Sequence, residues 1–205
     1  MDNIDGRTIL STILSNGASR TRWLYEPCVS MKRILFLSDG GKFMERRDKH
    51  NYYLDIARSV LERGTCLRRN YGAIIVKNDE IISTGYTGSP RGRKNCSDLG
   101  YCLREKMDIP RGQNYEKCRS VHAEANCIIS ASRRDMIGAT LYLVGKDMKT
   151  NELVNNANSC TMCKRLILNS GIEKVIIRET NQSFRIIQVN EWIENDDSLS
   201  DDMGY

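Results

Sequence analysis

Two pairs of residues in this chain have the types and the spacing to hold a metal ion and move protons. His122 and Glu124 stand two apart in "SVHAEANCII", and Cys160 and Cys163 form a Cys-x-x-Cys in "SCTMCKRLIL". An imidazole and two thiolates make three ligands for a tetrahedral zinc and leave its fourth position open, the catalytic rather than the closed structural arrangement. A water in that position would ionise near neutrality. Glu124 is not needed as a ligand. A carboxylate so close can take the water's proton and deliver it to a ring nitrogen, then to a leaving amine. Taken singly, neither pair is specific. His-x-Glu is common, and Cys-x-x-Cys also suits a redox site, although a thioredoxin-like motif expects a strand directly before it and here a polar loop precedes it.

Both pairs read as helix starts. An apolar helical pattern runs from about His122 to Arg133, and "CTMCKRLILNSG" reads as a helix closed by Gly171. Each start directs unpaired N–H groups and a partial positive charge outward, which favours thiolate over thiol. The elements around them follow from periodicity. Tyr52/Tyr53, Ile56/Ala57 and Val60/Leu61 recur at helical spacing, with Gly64 suited to the C-terminal cap. "GAIIV" and "EIISTGY" flank "KND" as a hairpin, and "ATLYLV", "EKVIIRE" and "FRIIQV" read as further strands. Residues 85–118 are loop-like, and "GKDMKTNELVNNANS" is a polar excursion with the look of a small hairpin. The order α-β-β-α-β-α-β-β implies an α/β fold, one mixed sheet with helices packed on it.

The bulk numbers agree with one globular domain. The chain has 205 residues, 40% hydrophobic and 28% charged, with a formal net charge of +5. That charge is mild, and no basic stripe interleaved with aromatics marks a polyanion binder. No apolar run approaches the roughly 20 residues of a membrane span, and nothing resembles a cleaved signal peptide. Eight cysteines in such a chain read first as metal ligands rather than disulfides. Residues 1–43 show no sustained period and no chemistry. They are expected to be an N-terminal extension outside the domain, and translation could begin at Met44. The domain is expected over 44–190, and 191–205 form an acidic C-terminal tail.

His-x-Glu followed by Pro-Cys-x-x-Cys is the zinc deaminase signature. Here Ser159 stands where the signature has proline, and a serine could cap the helix in its place. The wider sequence "CLRRNYGAIIVKNDEIISTGYTGSPRG", then "CRSVHAEANCIISASR" and "SCTMCKRLILNSGIEKVII", closely resembles the deoxycytidylate deaminases, over roughly Lys49 to Ile177. That resemblance implies a cytidine-deaminase-like three-layer α-β-α sandwich and the reaction dCMP plus water to dUMP plus ammonia. It implies zinc on His122, Cys160 and Cys163, and Glu124 as the catalytic carboxylate. It places Thr87 and Gly88 of the Gly85–Gly92 loop on the substrate, with Thr87 where the family has a sugar-contacting asparagine. The backbone of Ala123 would bind the pyrimidine carbonyl. As a set flanking the site loops, Arg68, Arg69, Arg91, Arg93 and Arg119 suit a phosphate, with Arg91 and Arg93 expected on the substrate. Cys66 and Cys96 fall where a phage relative holds a second, structural zinc, and Cys102 and Cys118 lie where that site is completed, so a four-cysteine zinc is expected there. Cys127 reads as core, and Cys28 as without role. The family further implies a cytoplasmic enzyme, a hexamer, and dCTP and dTTP as effectors. Two other readings use the same residues: an RNA-base deaminase of the tRNA adenosine type, and a non-catalytic zinc-binding module that would have no use for Glu124.

Overall fold

A computed structural model describes residues 36–37, 43–44, 46–110 and 113–195. Most of the N-terminal extension, and the acidic tail beyond 195, lie outside the described residues. The chain divides into two compact units, Met1–Arg46 and Arg47–Tyr205. In the first, β1 (Phe36–Leu37) and β2 (Phe43–Met44) pair antiparallel.

The second unit is built on a five-stranded sheet. Its strands are β3 (Arg69–Lys77), β4 (Glu80–Tyr86), β5 (Thr140–Asp147), β6 (Lys174–Arg178) and β7 (Phe184–Gln188). They lie in the order β4-β3-β5-β6-β7. Only the β5–β6 pair is parallel, so the sheet is mixed as expected. The β3–β4 turn is tight because Asn78 and Asp79 both take positive φ, 51° and 67°. Asn and Asp tolerate that conformation better than other residues with a Cβ.

Alternation along the strands separates two cores. Ile74, Val76, Tyr142, Val144 and Ile176 face helix α1 (Lys49–Leu61) and its Tyr53, Leu54, Ala57 and Leu61. Ala73, Ile75, Leu141, Leu143, Val175 and Ile177 face α4 (Ala123–Ile129) and α6 (Thr161–Ser170). This is a three-layer α-β-α arrangement. Two glycines let the helices approach the sheet. A Cβ on Gly72 would lie 2.2 Å from the Ala57 carbonyl oxygen, and one on Gly85 would lie 2.3 Å from that of Ala123. Gly85 therefore seats the first turn of α4 directly on β4.

Several local expectations are revised. α1 begins at Asp48, whose side chain accepts the Asn51 N–H, but it ends at Glu62 rather than Gly64. Gly64 is needed for room instead, since a Cβ there would meet the Asn70 side chain at 2.4 Å. The expected His122–Arg133 helix stops at Ile129, and Ser132 then caps a new short helix, α5 (Arg133–Met136), by accepting the Asp135 N–H. The 85–118 stretch holds two short helices, α2 (Cys96–Leu99) and α3 (Leu103–Lys106), and a 3-10 turn at Tyr115–Lys117. The 145–159 excursion folds back on itself through a Lys146–Leu153 bridge. A last short helix, α7 (Glu191–Glu194), opens the stretch expected to be a tail.

Candidate active site

His122 and Cys160 are the N-cap residues of α4 and α6, both with extended backbone. The two helix starts face each other. His122 Nδ1 lies 3.3 Å from Cys160 Sγ and 3.5 Å from Cys163 Sγ. The three ligand atoms all lie within 4.8 Å of one another, and among the described residues this is the group of histidine, cysteine and acidic side chains so gathered. One borderline nitrogen and two soft sulfurs in such a cluster fit zinc, with room for a fourth ligand.

Electrostatics in the metal-free cluster follow from contact. A hydrogen bond from Cys163 draws the Cys160 thiol down to about 4 against the effect of burial, with His122 assisting. Cys163 is pushed up as the partner that keeps its proton. Burial works to lower the His122 value, but contact with Cys160 and the charge of Glu124 raise it overall. Glu124 sits in the first turn of α4, 4% exposed, and burial pushes its carboxyl above the ordinary carboxylate range. A carboxyl so shifted exchanges protons closer to neutral pH, as a general acid–base must.

His122, Glu124 and Cys160 share one cavity with Thr87, Asn158, Tyr71, Tyr115 and Ser120. Tyr115 meets the His122 ring edge-on at 5.2 Å, and the Arg104 guanidinium lies over Tyr115 at 4.6 Å. Ala123 is fully buried at the first position of α4. The expected substrate residues are placed unevenly. Thr87 lines the cavity, but its hydroxyl accepts the Tyr71 N–H at 3.1 Å. Gly88 bridges to Val121 through paired backbone bonds and so braces the approach to His122. Arg91 and Arg93 are exposed and do not form the cavity wall; Arg68, Arg69 and Arg104 do. Arg68 and Arg69 come from the stretch entering β3, and Arg104 from α3, and no spacing rule joins those segments to His122 in sequence.

Cys66, Cys102 and Cys118 line the same cavity, and Cys96 is buried with its Sγ 3.7 Å from Ser120 Oγ. Burial raises the Cys96 and Cys118 thiols, and Cys66 adds to both. The four are neighbours, yet among the described residues no three of them bring their sulfurs within the 4.8 Å closeness of the His122 group. Cys127 is core, as expected, with its thiol pushed up to about 12 by burial. Ser159 does not cap α6. Cys160 holds that position, and the buried Ser159 hydroxyl acts instead on the Glu124 carboxyl, working against the rise that burial gives it.

Residues 47–179 match the family described as the cytidine and deoxycytidylate deaminase zinc-binding region. The deoxycytidylate deaminase of Mycobacterium phage D29 is 36% identical over 65% of this chain and 96% of its own length. That of Enterobacteria phage T4 is 32% identical over 64% of this chain and 78% of its own length. The fission yeast deoxycytidylate deaminase is 30% identical, but the match spans only 35% of that longer protein and 62% of this chain. The crystal structure of dCMP deaminase from cyanophage S-TIM5 aligns at a TM-score of 0.45 and 24% identity, over 63% of this chain and 82% of that one. With its paired helix starts carrying one histidine, two cysteines and a buried glutamate, and with the matched region running through all of them, the chain belongs to the cytidine and deoxycytidylate deaminase family.

Proposed function

We propose that this protein hydrolyses dCMP to dUMP and ammonia. The observation that carries the reading is the three-ligand His122–Cys160–Cys163 cluster with the buried carboxyl of Glu124 on the same cavity. His122, Cys160 and Cys163 would hold one zinc, which when bound supplies the Lewis acidity that makes a water nucleophilic near neutral pH. Glu124 takes one proton from the attacking water and delivers it to the ring nitrogen, then takes the second from the hydroxyl so added to the ring and delivers it to the departing amine. Its burial keeps the carboxyl protonated between these transfers more readily than an exposed glutamate would be. The N–H of Ala123, at a helix start where no intrahelical partner exists, is suited to the pyrimidine carbonyl. Arg68 and Arg69, from the expected set, and Arg104, outside it, give the cavity the cationic character that a nucleotide phosphate needs, whereas Arg91 and Arg93 have no part in this reading.

Ammonia release from dCMP, dCTP, cytidine and a tRNA anticodon stem tests the proposal. Preference for dCMP supports it; release from the stem alone would favour RNA-base deamination, and release from none would favour a binding module. A second, structural zinc on Cys66, Cys96, Cys102 and Cys118 rests on the family resemblance, since their sulfurs are less tightly gathered than the His122 group, and metal counting separates one ion per chain from two. A hexamer, dCTP and dTTP control, and a cytoplasmic location rest on the family resemblance. No helix among the described residues is long and apolar enough to cross a membrane. Sedimentation and assays with each triphosphate check the first two.

A further inference from the structure

We infer that Asn158 determines sugar recognition: its side-chain amide donates a hydrogen bond to the sugar hydroxyl of the bound nucleotide. The inference rests on the dCMP reading above and adds a residue to it. Thr87 is poorly placed for that contact. It is 5% exposed, its hydroxyl accepts the Tyr71 N–H at 3.1 Å, and the same oxygen lies 3.5 Å from the Tyr71 carbonyl as a donor. Its donor and one of its acceptor positions are taken within the fold, and its burial screens the other.

Asn158 is exposed and lines the cavity that holds Glu124, His122 and Thr87. Its Oδ1 accepts the Ser159 N–H at 3.0 Å. A backbone N–H can only donate, so this bond assigns the amide: the oxygen is engaged, and the Nδ2 hydrogens remain to be offered. The anchor exists because residue 159 is not proline. Proline has no N–H, so a chain with the usual signature could not hold the amide this way. The Ser159 N–H is the group that holds the Asn158 amide in place. Upstream, Arg185 Nη2 donates to the Ala157 carbonyl at 2.6 Å, so the chain is held on both sides of Asn158. Glu124 and the Ala123 N–H serve the pyrimidine in this reading, and the arginines suit the phosphate. Between those ends a deoxynucleotide presents its sugar oxygens.

The test measures kcat and KM for dCMP and for 2′,3′-dideoxycytidine monophosphate with zinc-loaded wild-type protein, Asn158→Ala, Asn158→Asp, Ser159→Pro and the Asn158→Ala/Ser159→Pro double variant. One neutral hydrogen bond corresponds to roughly three- to tenfold in affinity. Each single variant should raise KM for dCMP by that factor with zinc content unchanged, and the Asn158 variants should also leave kcat unchanged, the pattern of lost uniform binding. The double variant should be no worse than either single one, because both remove the same contact. Asn158→Asp keeps the acceptor for the Ser159 N–H but loses the donor, so it should behave like Asn158→Ala, which a merely structural role would not produce. Wild-type protein should lose the same factor on the dideoxy substrate, and Asn158→Ala should lose nothing further. An Asn158→Ala protein with wild-type KM, a normal Asn158→Asp protein, or effects that multiply in the double variant would overturn the inference. Should Ser159→Pro fail to fold, the Asn158 variants on an exposed side chain still decide. Wild-type protein that releases no ammonia from dCMP would overturn the functional reading and this inference with it, whereas active wild-type protein with an unaffected Asn158→Ala overturns this inference alone.

Discussion

The two faces of the sheet bury polar groups in opposite ways. On the α1 face, Arg178 is 3% exposed and fully engaged: it reaches the Asn51 side chain and carbonyl, the Asp55 carboxylate and the Asn181 carbonyl. Asn51 in turn donates to Asp48 at 2.7 Å and to the Gln182 carbonyl at 2.9 Å. On the α4–α6 face and its loops, the buried Ser89 hydroxyl and the Arg104 Nε find no hydrogen-bond partner among the described residues. Here too lies Glu124, with its carboxyl shifted by burial. A face whose polar groups are satisfied gains stability from them; a face that leaves donors and a carboxyl poised keeps them for a ligand, at some cost in stability. The lesson is that the site is marked less by the residue types buried than by whether the fold satisfies them.

Metal removal should separate the faces most sharply. Chelation is expected to abolish deamination while amide exchange in α1 and β3 stays slow, since their core holds no ligand. In the metal-free protein Cys160 should be alkylated before the other cysteines below neutral pH, because the Cys163 hydrogen bond and His122 hold its thiol well below the ordinary thiol range. Cys127, pushed up to about 12, should remain unlabelled. Mass mapping of the labelled cysteine reads the result, and equal labelling of both would break the distinction.

Glu124→Gln comes next. It should lower kcat by roughly 10²–10⁴-fold, the usual contribution of a positioned acid–base, while the three ligands keep their zinc. Metal analysis beside the rate assay checks this, and a variant with most of its activity would remove Glu124 from the proton path. On the opposite face, Arg178→Met should cost about 2–4 kcal/mol by leaving Asn51 and Asp55 without their cation. Denaturant unfolding measures that loss, and the folded fraction should retain its kcat. The smallest change is Ser159→Ala, which deletes a buried hydroxyl that works against the rise burial gives the Glu124 carboxyl, so the acidic limb of the pH–rate profile should move to higher pH. An unmoved limb would show that the hydroxyl does not act on Glu124.

Much of the fold was legible because its signals are local. The hairpin at Asn78–Asp79, the alternation in β3 and the closing Gly171 of α6, at φ 79°, are each set by a few adjacent residues. Misreadings came where a distant neighbour decided. Gly64 has the composition of a cap but is required by the Asn70 side chain, and Ser159 has that of an N-cap but stands one residue too early, before Cys160. The long apolar pattern after His122 was read as one helix, yet Ser132 breaks it by capping its own.

By itself, the sequence determined the reactive set: His122, Glu124, Cys160 and Cys163 are recognisable because metal and proton chemistry demand those side chains, and because each pair lies within one helical turn. Tertiary structure alone decided what surrounds them. Which arginines reach the cavity, that the Thr87 hydroxyl is turned to Tyr71, and that Asn158 has its oxygen fixed all depend on loops from separate parts of the chain meeting over the sheet. Those contacts join residues up to about 90 positions apart, from Arg68 to Asn158, and no local periodicity encodes a distance between segments whose approach is set by how helices and strands pack.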